Sequence, residues 1–291
     1  MTDSFEAKVL DQMERLQTQG IRAVEAEIAA RRIAWLRQHV LLVDEPESIT
    51  PRRAFELLFF EHMGLSPADL PVVSETEHEI AWRSTNRCPT LEVCARLGLD
   101  TRQVCRAANE KATQVFLSQI DPQLRFLRSY TEIRPYADYC LERIVRIDFK
   151  AMMRMAIMEA KISRAEGNHG YGAVVALGDE VVGRAHDTAA TQQDPSLHAE
   201  VNAIRQAARR LGDANLSGAV LFSSCEPCPM CSSLAVWANL TTIAYGISIE
   251  ETAKMGKARI RVGAKEIVER SPVMVEVIGD VLKDECRALY L

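Results

Sequence analysis

Three cysteines and two prolines are crowded into SSCEPCPMCSS, residues 223–233, where a regular helix or strand favours neither. Cys228 and Cys231 are three residues apart, so a helix that begins at Cys228 places both sulfur atoms on one side of its first turn. The partial positive charge and free N–H groups of a helix N-terminus favour thiolates. Pro229 suits the first helical turn, and Pro227 ends the preceding strand. The spacing therefore predicts two thiolates directed at one point.

Two sulfur atoms do not complete a catalytic zinc site, which usually has three protein ligands and one open position for water. His198 in LHAEVNAI opens a strongly amphipathic helix, and Glu200 follows two residues later. A carboxylate beside zinc-polarised water can take up a proton and pass it on. We therefore predict one Zn²⁺ held by His198, Cys228 and Cys231, with Glu200 as the catalytic residue.

A structural zinc or a redox pair is the alternative for these residues. A structural site needs a fourth ligand and has no need of Glu200. Cys225 is the nearest candidate for a fourth ligand, but it precedes the turn, and we expect it to pack in the core.

The order HAE and then PCPMC has the H-x-E…P-C-x-x-C pattern of zinc deaminases. The stretches DPSLHAEVNAIRQA and SSCEPCPMCSSLAVWANLTTIAYG resemble the cytidine-deaminase-like superfamily, in its guanine deaminase and tRNA-adenosine deaminase branch. Trp237-Ala238 and HAEVNAIR are more similar to the guanine deaminase side. The resemblance covers about residues 150–291. It implies a three-layer α/β/α fold with a mixed sheet, a Zn²⁺ cofactor and hydrolysis of an exocyclic amino group.

The resemblance also implies groups that contact the substrate. The backbone N–H groups of Ala199 and Cys228 would hold the tetrahedral intermediate, and Glu226 would brace the turn. Related enzymes use an asparagine where this chain has Asp187. An ionised aspartate only accepts hydrogen bonds, so the substrate is expected to present a donor to it. Capping of a turn is the alternative role for Asp187.

Three further residues are candidates for the pocket because of where they stand in the chain. His186 and Asn168 lie at strand ends whose loops should line it, and a surface position is the alternative for the histidine. Tyr290 either covers the pocket, as C-terminal segments do in related enzymes, or is buried in the last helix.

The segments that must position these residues alternate between helix and strand from residue 149 onwards, which predicts a sheet between helices. Helices are predicted for FKAMMRMAIMEAKISRAEG, HAEVNAIRQAARRLG, CPMCSSLAVWANL, IEETAKMGKARI and DVLKDECRALY. Strands are predicted for YGAVVALG, EVVGRAH, AVLFSS, TTIAYGI and VMVEVIG. The helix between the last two strands should make those strands parallel.

The first half, residues 1–148, is predicted to be an accessory α+β domain, mainly helical with a little sheet, which precedes the deaminase domain of residues 149–291. NRCPTLEVCARLGLDTRQVC and DYCLERI have some resemblance to a domain named for L-2-amino-thiazoline-4-carboxylate hydrolases. The cysteines there match no compact metal motif, so we expect them to be buried and structural, with a second metal or thiol site as the alternative. They are Cys88, Cys94, Cys105 and Cys140.

The composition and charge of the chain indicate which classes of partner it can bind. The chain has 291 residues and a formal net charge of −5, without the basic excess of a nucleic-acid surface. Arg205, Arg209 and Arg210 make a local basic group that we interpret as a solvated helix face. No apolar run is long enough to span a bilayer, and the N-terminus lacks a signal-peptide core. We expect a cytoplasmic homodimer that binds a small molecule and contacts neither membrane nor nucleic acid.

These observations predict a zinc-dependent hydrolytic deaminase of a free aminated heterocycle, a purine-type base, nucleoside or analogue, that releases ammonia. A tRNA-specific adenosine deaminase is the first alternative, because the motifs permit it. An inactive zinc fold that serves as a binding or regulatory module is the second, and an intact Glu200 argues against it.

Overall fold

The computed structural model describes residues 5–40, 49–271, 273 and 275–291. The chain divides into two compact units, Met1–Ile147 and Asp148–Leu291, called here the N-terminal and C-terminal units. Within the described ranges, no helix combines the length and apolar character needed to cross a membrane. Met274, part of the strand predicted from VMVEVIG, lies outside the described residues. Residues 1–4 of the N-terminus, for which no signal-peptide core is predicted, also lie outside them.

The N-terminal unit combines helices with one antiparallel sheet. Its helices are α1 (Phe5–Thr18), α2 (Ile21–His39), α3 (Pro51–Phe55), α4 (Pro89–Leu97), α5 (Thr101–Val104) and α6 (Lys111–Ile120). Glu56–His62 and Cys105–Glu110 are π-helical segments that follow α3 and α5, and Pro67–Asp69 is a 3₁₀ turn. Its strands are β1 (Val72–Glu75), β2 (Glu79–Ser84), β3 (Leu124–Arg128) and β4 (Cys140–Arg146), in the order β1-β2-β4-β3.

Local signals in the sequence account for several helix ends of this unit. Thr50 accepts a hydrogen bond from the backbone N–H of Arg53, and Pro51 occupies the first helical position of α3, where its missing N–H costs nothing. Helix α4 begins at Pro89 and ends at Leu97, because Gly98 after it is left-handed with φ 63°. The helical pattern of residues 5–40 is broken at Gly20, where φ is 83°.

The C-terminal unit is built on one five-stranded mixed sheet. Its helices are α7 (Phe149–Ala165), α8 (Ala189–Gln192), α9 (Ala199–Leu211), α10 (Pro229–Trp237), α11 (Ile249–Lys254), α12 (Ala264–Glu269) and α13 (Lys283–Arg287). Its strands are β5 (Gly172–Leu177), β6 (Glu180–His186), β7 (Ala219–Cys225), β8 (Thr242–Ile247) and β9 (Glu276–Ile278), in the order β6-β5-β7-β8-β9. β5 is antiparallel to β6 and β7, whereas β7, β8 and β9 run parallel.

Helices cover both faces of this sheet, which confirms the predicted three-layer α/β/α fold with a mixed sheet. On one face, Leu221 and Ile243 belong to a core that includes residues of α9 and α10. The other face carries Phe222, whose ring meets Phe149 of α7 edge-on at 4.9 Å between centroids. The alternation of strand side chains between the two faces explains this division.

Two predicted helices are shorter than their sequence patterns suggest. The helix expected from IEETAKMGKARI ends at Lys254, because Gly256 adopts φ 83° and turns the chain away. A separate helix, α12, then begins at Ala264 and was not predicted. The closing helix is confined to Lys283–Arg287, since Leu282 immediately before it has a positive φ of 50°.

Candidate active site

Two helix starts of the C-terminal unit meet at a cluster of metal-binding atoms. His198 caps the N-terminus of α9, and Cys228 caps that of α10. The Sγ atoms of Cys228 and Cys231 are 3.6 Å apart, and His198 Nδ1 lies 3.6 Å from the first and 3.5 Å from the second. Among the described residues, these three make the one group of at least three His, Cys, Asp or Glu ligand atoms that lie within 4.8 Å of one another.

These distances fit a tetrahedral zinc ion. Zinc–sulfur bonds of about 2.3 Å and zinc–nitrogen bonds of about 2.0 Å, at tetrahedral angles, require about 3.8 Å between sulfur atoms and about 3.5 Å between sulfur and nitrogen. The observed 3.6 Å between the sulfur atoms and 3.5–3.6 Å to Nδ1 agree with this to within a few tenths of an ångström. His198, Cys228 and Cys231 therefore suit three positions of zinc and leave the fourth for water.

The turn before α10 is held by side chains around the cysteines. Pro229 occupies the first helical position, and Ser232 Oγ donates to the carbonyl of Pro227 at 3.0 Å. Glu226 accepts from the backbone N–H groups of Ile249 at 2.9 Å and Ala264 at 2.8 Å, the first residues of α11 and α12. These contacts agree with the bracing role expected of Glu226, since its carboxylate joins three segments at the edge of the site.

Glu200 lies against the metal-binding cluster and is buried, with 5% of its surface exposed. Its Oε2 accepts from Cys231 Sγ at 3.4 Å, and its Oε1 accepts from Ser223 Oγ at 3.0 Å. Burial raises the pKa of Glu200 above its ordinary value. A raised pKa favours uptake of a proton by this carboxylate, which is what a general base requires.

The electrostatics of the cluster favour an anionic sulfur. The contact with Cys231 lowers the pKa of Cys228 to about 4, and the contact with His198 acts in the same direction. The same sulfur–sulfur contact, together with burial, raises the pKa of Cys231. Cys228 is therefore the thiolate of the pair before a metal binds, and the thiolate is the form that ligates zinc.

Asp187 lies at the end of β6 with one carboxylate oxygen satisfied and one free. Its Oδ1 accepts from the backbone N–H of Ala189 at 3.3 Å and lies 3.0 Å from His169 Nδ1. Its Oδ2 has no hydrogen-bond partner, and the residue is buried, with 1% of its surface exposed. The pKa of His198 is raised, first by its contact with Cys228, and the negative charge of Asp187 contributes to this rise. Asp187 thus both caps a turn and keeps one unused acceptor near the cluster.

The other predicted substrate contacts differ in their surroundings. Asn168 Oδ1 accepts from the backbone N–H of Thr191 at 2.9 Å, whereas its Nδ2 is buried without a partner. Ala199 is the first residue of α9 and is fully buried, so its N–H is among those that a helix start leaves unpaired within the helix.

His186 is engaged elsewhere. Its Nδ1 lies 2.8 Å from Glu159 and its Nε2 lies 3.0 Å from Glu166, both carboxylates at the C-terminal half of α7 or just beyond it. Because both ring nitrogen atoms have partners, the structure does not present this side chain as a substrate contact.

A second group of side chains borders the site, of which Tyr290 was a candidate from the sequence whereas Tyr171 and Arg259 were not. Tyr290 is buried just after α13, stacks on Tyr171 at 5.4 Å between centroids, and lies 3.0 Å through its hydroxyl from Ser224 Oγ. Arg259 Nη2 donates to the Tyr171 hydroxyl and lies 3.7 Å from Cys225 Sγ. Cys225 is buried as expected, but its neighbours are polar.

Known proteins are similar to this chain in the part that carries the site. Residues 147–247 match the family model described as the cytidine and deoxycytidylate deaminase zinc-binding region. The tRNA-specific adenosine deaminase of Bacillus subtilis is 33% identical over 134 residues, which are 46% of this chain and 81% of that protein. The guanine deaminase of Bacillus subtilis is 36% identical over 86 residues, which are 30% of this chain and 55% of that protein.

Solved structures of similar proteins were also found. The crystal structure of guanine deaminase from Bacillus subtilis is 32% identical, with a TM-score of 0.36, and the match covers 37% of this chain and 69% of that one.

Proposed function

The chain belongs to the cytidine and deoxycytidylate deaminase family of zinc-binding proteins, and from this premise we propose that it deaminates a free aminated heterocycle by hydrolysis and releases ammonia. The substrate class that we propose is a purine-type base, its nucleoside or an analogue. The contact of 3.4 Å between Glu200 Oε2 and Cys231 Sγ carries this proposal. It sets a proton-transfer group beside the three ligands in the geometry that hydrolysis of an amino group needs.

In the proposed mechanism His198, Cys228 and Cys231 hold zinc. Zinc, when bound, polarises a water molecule so that its proton is lost near neutral pH. Glu200 accepts that proton at one carboxylate oxygen and delivers it to a ring nitrogen as the hydroxide adds to the ring carbon. Glu200 then takes the remaining proton of the added hydroxyl and passes it to the amino group, so that the C–N bond breaks, the carbonyl forms and ammonia leaves. Ser223 keeps the other carboxylate oxygen in place through its hydrogen bond of 3.0 Å.

Backbone groups at the two helix starts complete the proposed chemistry. Ala199 and Cys228 are an N1 and an N-cap residue, and their N–H groups would donate to the polar atoms of the reacting ring. Fixed donors of this kind need no reorganisation when charge develops on the substrate, which is why they lower the barrier.

Asp187 narrows the substrate class. Its unpaired, buried Oδ2 supports the proposal that the substrate presents a hydrogen-bond donor there, such as a ring N–H, an amino group or a hydroxyl. Asn168 carries the complementary feature, a buried Nδ2 without a partner, which would donate to an acceptor of the substrate. A heterocycle with a donor and an acceptor on its rim would satisfy both groups.

The test is ammonia release from a panel of substrates by the zinc-loaded full chain. Guanine, adenine, cytosine, their nucleosides and purine analogues form one arm, and tRNA forms the other, with the Glu200→Gln protein as the control. We expect at least one free heterocycle to react with kcat/KM of about 10⁴ M⁻¹s⁻¹ or more, the lower end for enzymes on their own substrates. No release from any free heterocycle would overturn this function.

The alternative function is deamination of adenosine in tRNA. The similarity to the tRNA-specific adenosine deaminase of Bacillus subtilis, 33% identity over 134 residues, favours it. The net charge of −5 disfavours it, because binding of a polyanion rests on basic surfaces. The arginines predicted to form a basic group on α9 do not all remain available, since Arg210 pairs with Glu180. Inosine formation in tRNA, without reaction of free bases, would select this alternative.

We also propose that the protein is a cytoplasmic homodimer. Met230 and Trp237 of α10 are seven residues apart, hence on one side of the helix, and are 40% and 73% exposed. Such exposed apolar residues on one face support association through it. The eight free cysteines, two of which must stay reduced to bind zinc, suit a reducing compartment. Light scattering of the native protein and of Trp237→Glu would test the dimer.

A further inference from the structure

One face of the sheet in the N-terminal unit changes from apolar to polar along its strands. The cross-strand register aligns Trp82 with Glu142 and Glu142 with Arg128, and one step further it aligns Ser84 with Cys140. Residues opposite one another, or two apart along a strand, point to the same face. At the other end of this face lie the apolar residues Ile80, Phe126 and Ile144, in the core under the helices. A polar group of side chains therefore ends an otherwise apolar interior.

Arg128 and Glu142 are paired at this polar end, but the pair leaves a donor unused. Arg128 Nε donates to Glu142 Oε1 at 2.9 Å, and Nη2 donates to the same oxygen. The second carboxylate oxygen accepts from Trp82 Nε1 at 3.0 Å and from Ser84 Oγ at 2.6 Å, so Glu142 has no capacity left. Arg128 Nη1 is buried without a partner, in a side chain that is 9% exposed.

Arg32 of α2 brings a second guanidinium to the same place. It is 8% exposed, and its Nη1 donates to Thr113 Oγ1 at 2.7 Å, a neutral partner. Burial lowers the pKa of Arg32 to about 10, and the positive charge of Arg128 contributes to this fall. The negative charge of Glu142 acts on both guanidinium groups in the opposite direction. Since its oxygen atoms are already occupied, the unused donors of the two arginines are open to a second anion.

Two further arginines add to the excess of positive charge. Arg106 lies on the Cys105–Glu110 π-helical segment, with its guanidinium 4.2 Å from the ring centroid of Tyr130. Arg134 donates to the backbone carbonyls of Thr85 and Asn86. The Nε atoms of both arginines are buried without a partner. Arg134 and Arg128 both act on the thiol of Cys88, and the Tyr130 ring under Arg106 donates through its hydroxyl to Glu110.

The side chains that surround the Arg128 guanidinium include thiols and aromatic rings. Cys88 is the N-cap of α4, Cys105 begins the π-helical segment, and Cys140 begins β4. The charges that act on Cys88 and Cys105 include that of Arg128, which places these thiols near its guanidinium. All three cysteines are free. Sulfur and aromatic surfaces suit the carbon skeleton of an organic molecule better than a bare inorganic ion.

We propose that this polar end, formed by Arg32, Arg128, Glu142 and the thiols of Cys88, Cys105 and Cys140, binds a small organic carboxylate. The carboxylate group accepts hydrogen bonds from Arg128 Nη1 and from the Arg32 guanidinium, and the organic part lies against the thiols. A carboxylate matches the planar donor arrangement of guanidinium groups and balances their charge. The site lies within the N-terminal unit and does not depend on the deaminase proposal.

Trp82 supplies a direct reporter, because its indole N–H donates to Glu142. The experiment uses the full chain carrying Trp35→Phe and Trp237→Phe, so that Trp82 is the remaining tryptophan of three. Pyruvate, benzoate and inorganic phosphate are titrated at constant ionic strength, followed by Trp82 fluorescence and by calorimetry. We expect saturable binding of at least one carboxylate, at least tenfold tighter than that of phosphate.

Variants assign the binding to this site. Arg32→Gln should weaken carboxylate binding at least tenfold, whereas Arg37→Gln, an exposed arginine of the same helix, should change it less than twofold. Arg128→Gln alone leaves Glu142 buried without its charge partner and can prevent folding. The double variant Arg128→Gln/Glu142→Gln removes both charges, so it tests the role of Arg128 in binding if the single variant does not fold. Absence of saturable binding, equal binding of phosphate, or binding that survives Arg32→Gln in a folded protein overturns the proposal.

Discussion

Ser223 Oγ donates a hydrogen bond of 3.0 Å to Glu200 Oε1, so strand β7 and helix α9 meet at the carboxylate proposed to carry the proton. Both residues are buried, Ser223 completely. The carboxylate is thus held on one side by the strand and on the other by Cys231. We infer that Ser223 is a positioning residue for Glu200.

Replacement of this hydroxyl should slow the reaction without removing the metal. A hydrogen bond to a charged group contributes about 1.5–3 kcal/mol, so we expect Ser223→Ala to lower kcat about tenfold or more and to change KM little. Ser224→Ala is the matched control, because the neighbouring Ser224 contacts Tyr290 and the backbone N–H of Gly172 instead. Equal effects of the two substitutions on kcat would contradict a positioning role.

Glu200→Gln should abolish turnover in a protein that still folds and binds zinc. Glutamine has nearly the same shape but cannot take up the proton, and proton-transfer groups contribute about 10²–10⁴-fold to rate. Steady-state kinetics and metal analysis by mass spectrometry measure the two effects separately. Turnover close to that of the unmodified protein would refute the role given to Glu200.

Zinc should be present at about one ion per chain and should depend on the cysteines of α10. Cys228→Ala removes one of three ligands, and we expect the variant to retain less than about a tenth of the metal because three ligands are needed to hold a catalytic zinc. Cys225→Ala is the control, since this buried cysteine lies outside the cluster of three ligand atoms. If both variants keep their zinc, the ligand assignment is wrong.

The parts of the site that could be predicted from the sequence are those set by local signals. Pro229 and the i, i+3 cysteines indicate the start of α10, and the amphipathic pattern that begins at His198 indicates that of α9. Ser223, Tyr171 and Arg259 could not be found in this way. Each reaches the site through a partner that is distant in the chain, as Arg259 does by contacting Tyr171, 88 residues away.

Where the structure differs from the predicted elements, the cause is physical. Gly256 interrupts a segment whose side chains favour a helix, because its left-handed backbone ends α11 early. His186 stands beside Asp187 in the chain, and the sequence leaves a pocket position and a surface position open for it. Its ring is drawn to Glu159 and Glu166, whose positions depend on how α7 packs on β6 and therefore on tertiary structure.

Acid should destabilise the N-terminal unit through His62. Burial lowers the pKa of His62 to about 4, and its Nδ1 is buried without a partner while its ring lies against Trp35 and Phe116. The unfolded chain binds a proton at this histidine below about pH 6.5, whereas the folded chain does so only near pH 4. The contribution of neutral His62 to the free energy of unfolding is therefore complete above about pH 6.5, and it is lost as the pH falls towards 4.

His62→Phe tests this pH dependence, since phenylalanine keeps the ring contacts and removes the titration. Between pH 7 and pH 5 we expect the free energy of unfolding to fall by about 1–2 kcal/mol more in the unmodified protein than in His62→Phe. His39→Phe, an exposed histidine on α2, serves as the control and should behave like the unmodified protein. Chemical denaturation followed by circular dichroism gives the values. Identical pH dependence in all three proteins would exclude His62 as the source.

Asp187 should determine which heterocycle is accepted. Its buried Oδ2 has no partner in the protein and can only accept when ionised. Asp187→Asn keeps the size of the side chain and its acceptor for Ala189, but it can present a donor where the native substrate also presents one. A mispaired buried polar group costs about 1–3 kcal/mol, which corresponds to about ten- to a hundredfold in selectivity. We expect kcat/KM for the native substrate to fall by this factor and guanine to become a better substrate.

The measurement is kcat/KM for the native substrate and for guanine in the unmodified protein and in Asp187→Asn. Asp194→Asn is the control, because this half-buried aspartate caps a neighbouring turn through Ser196 and is not part of the metal-binding cluster. A loss of both activities together with zinc would report damage to the fold, so metal content is measured in each protein. If Asp187→Asn binds zinc and changes neither kcat/KM value, Asp187 acts only as the cap of the Ala189 turn, and the donor required of the substrate must be recognised by another group.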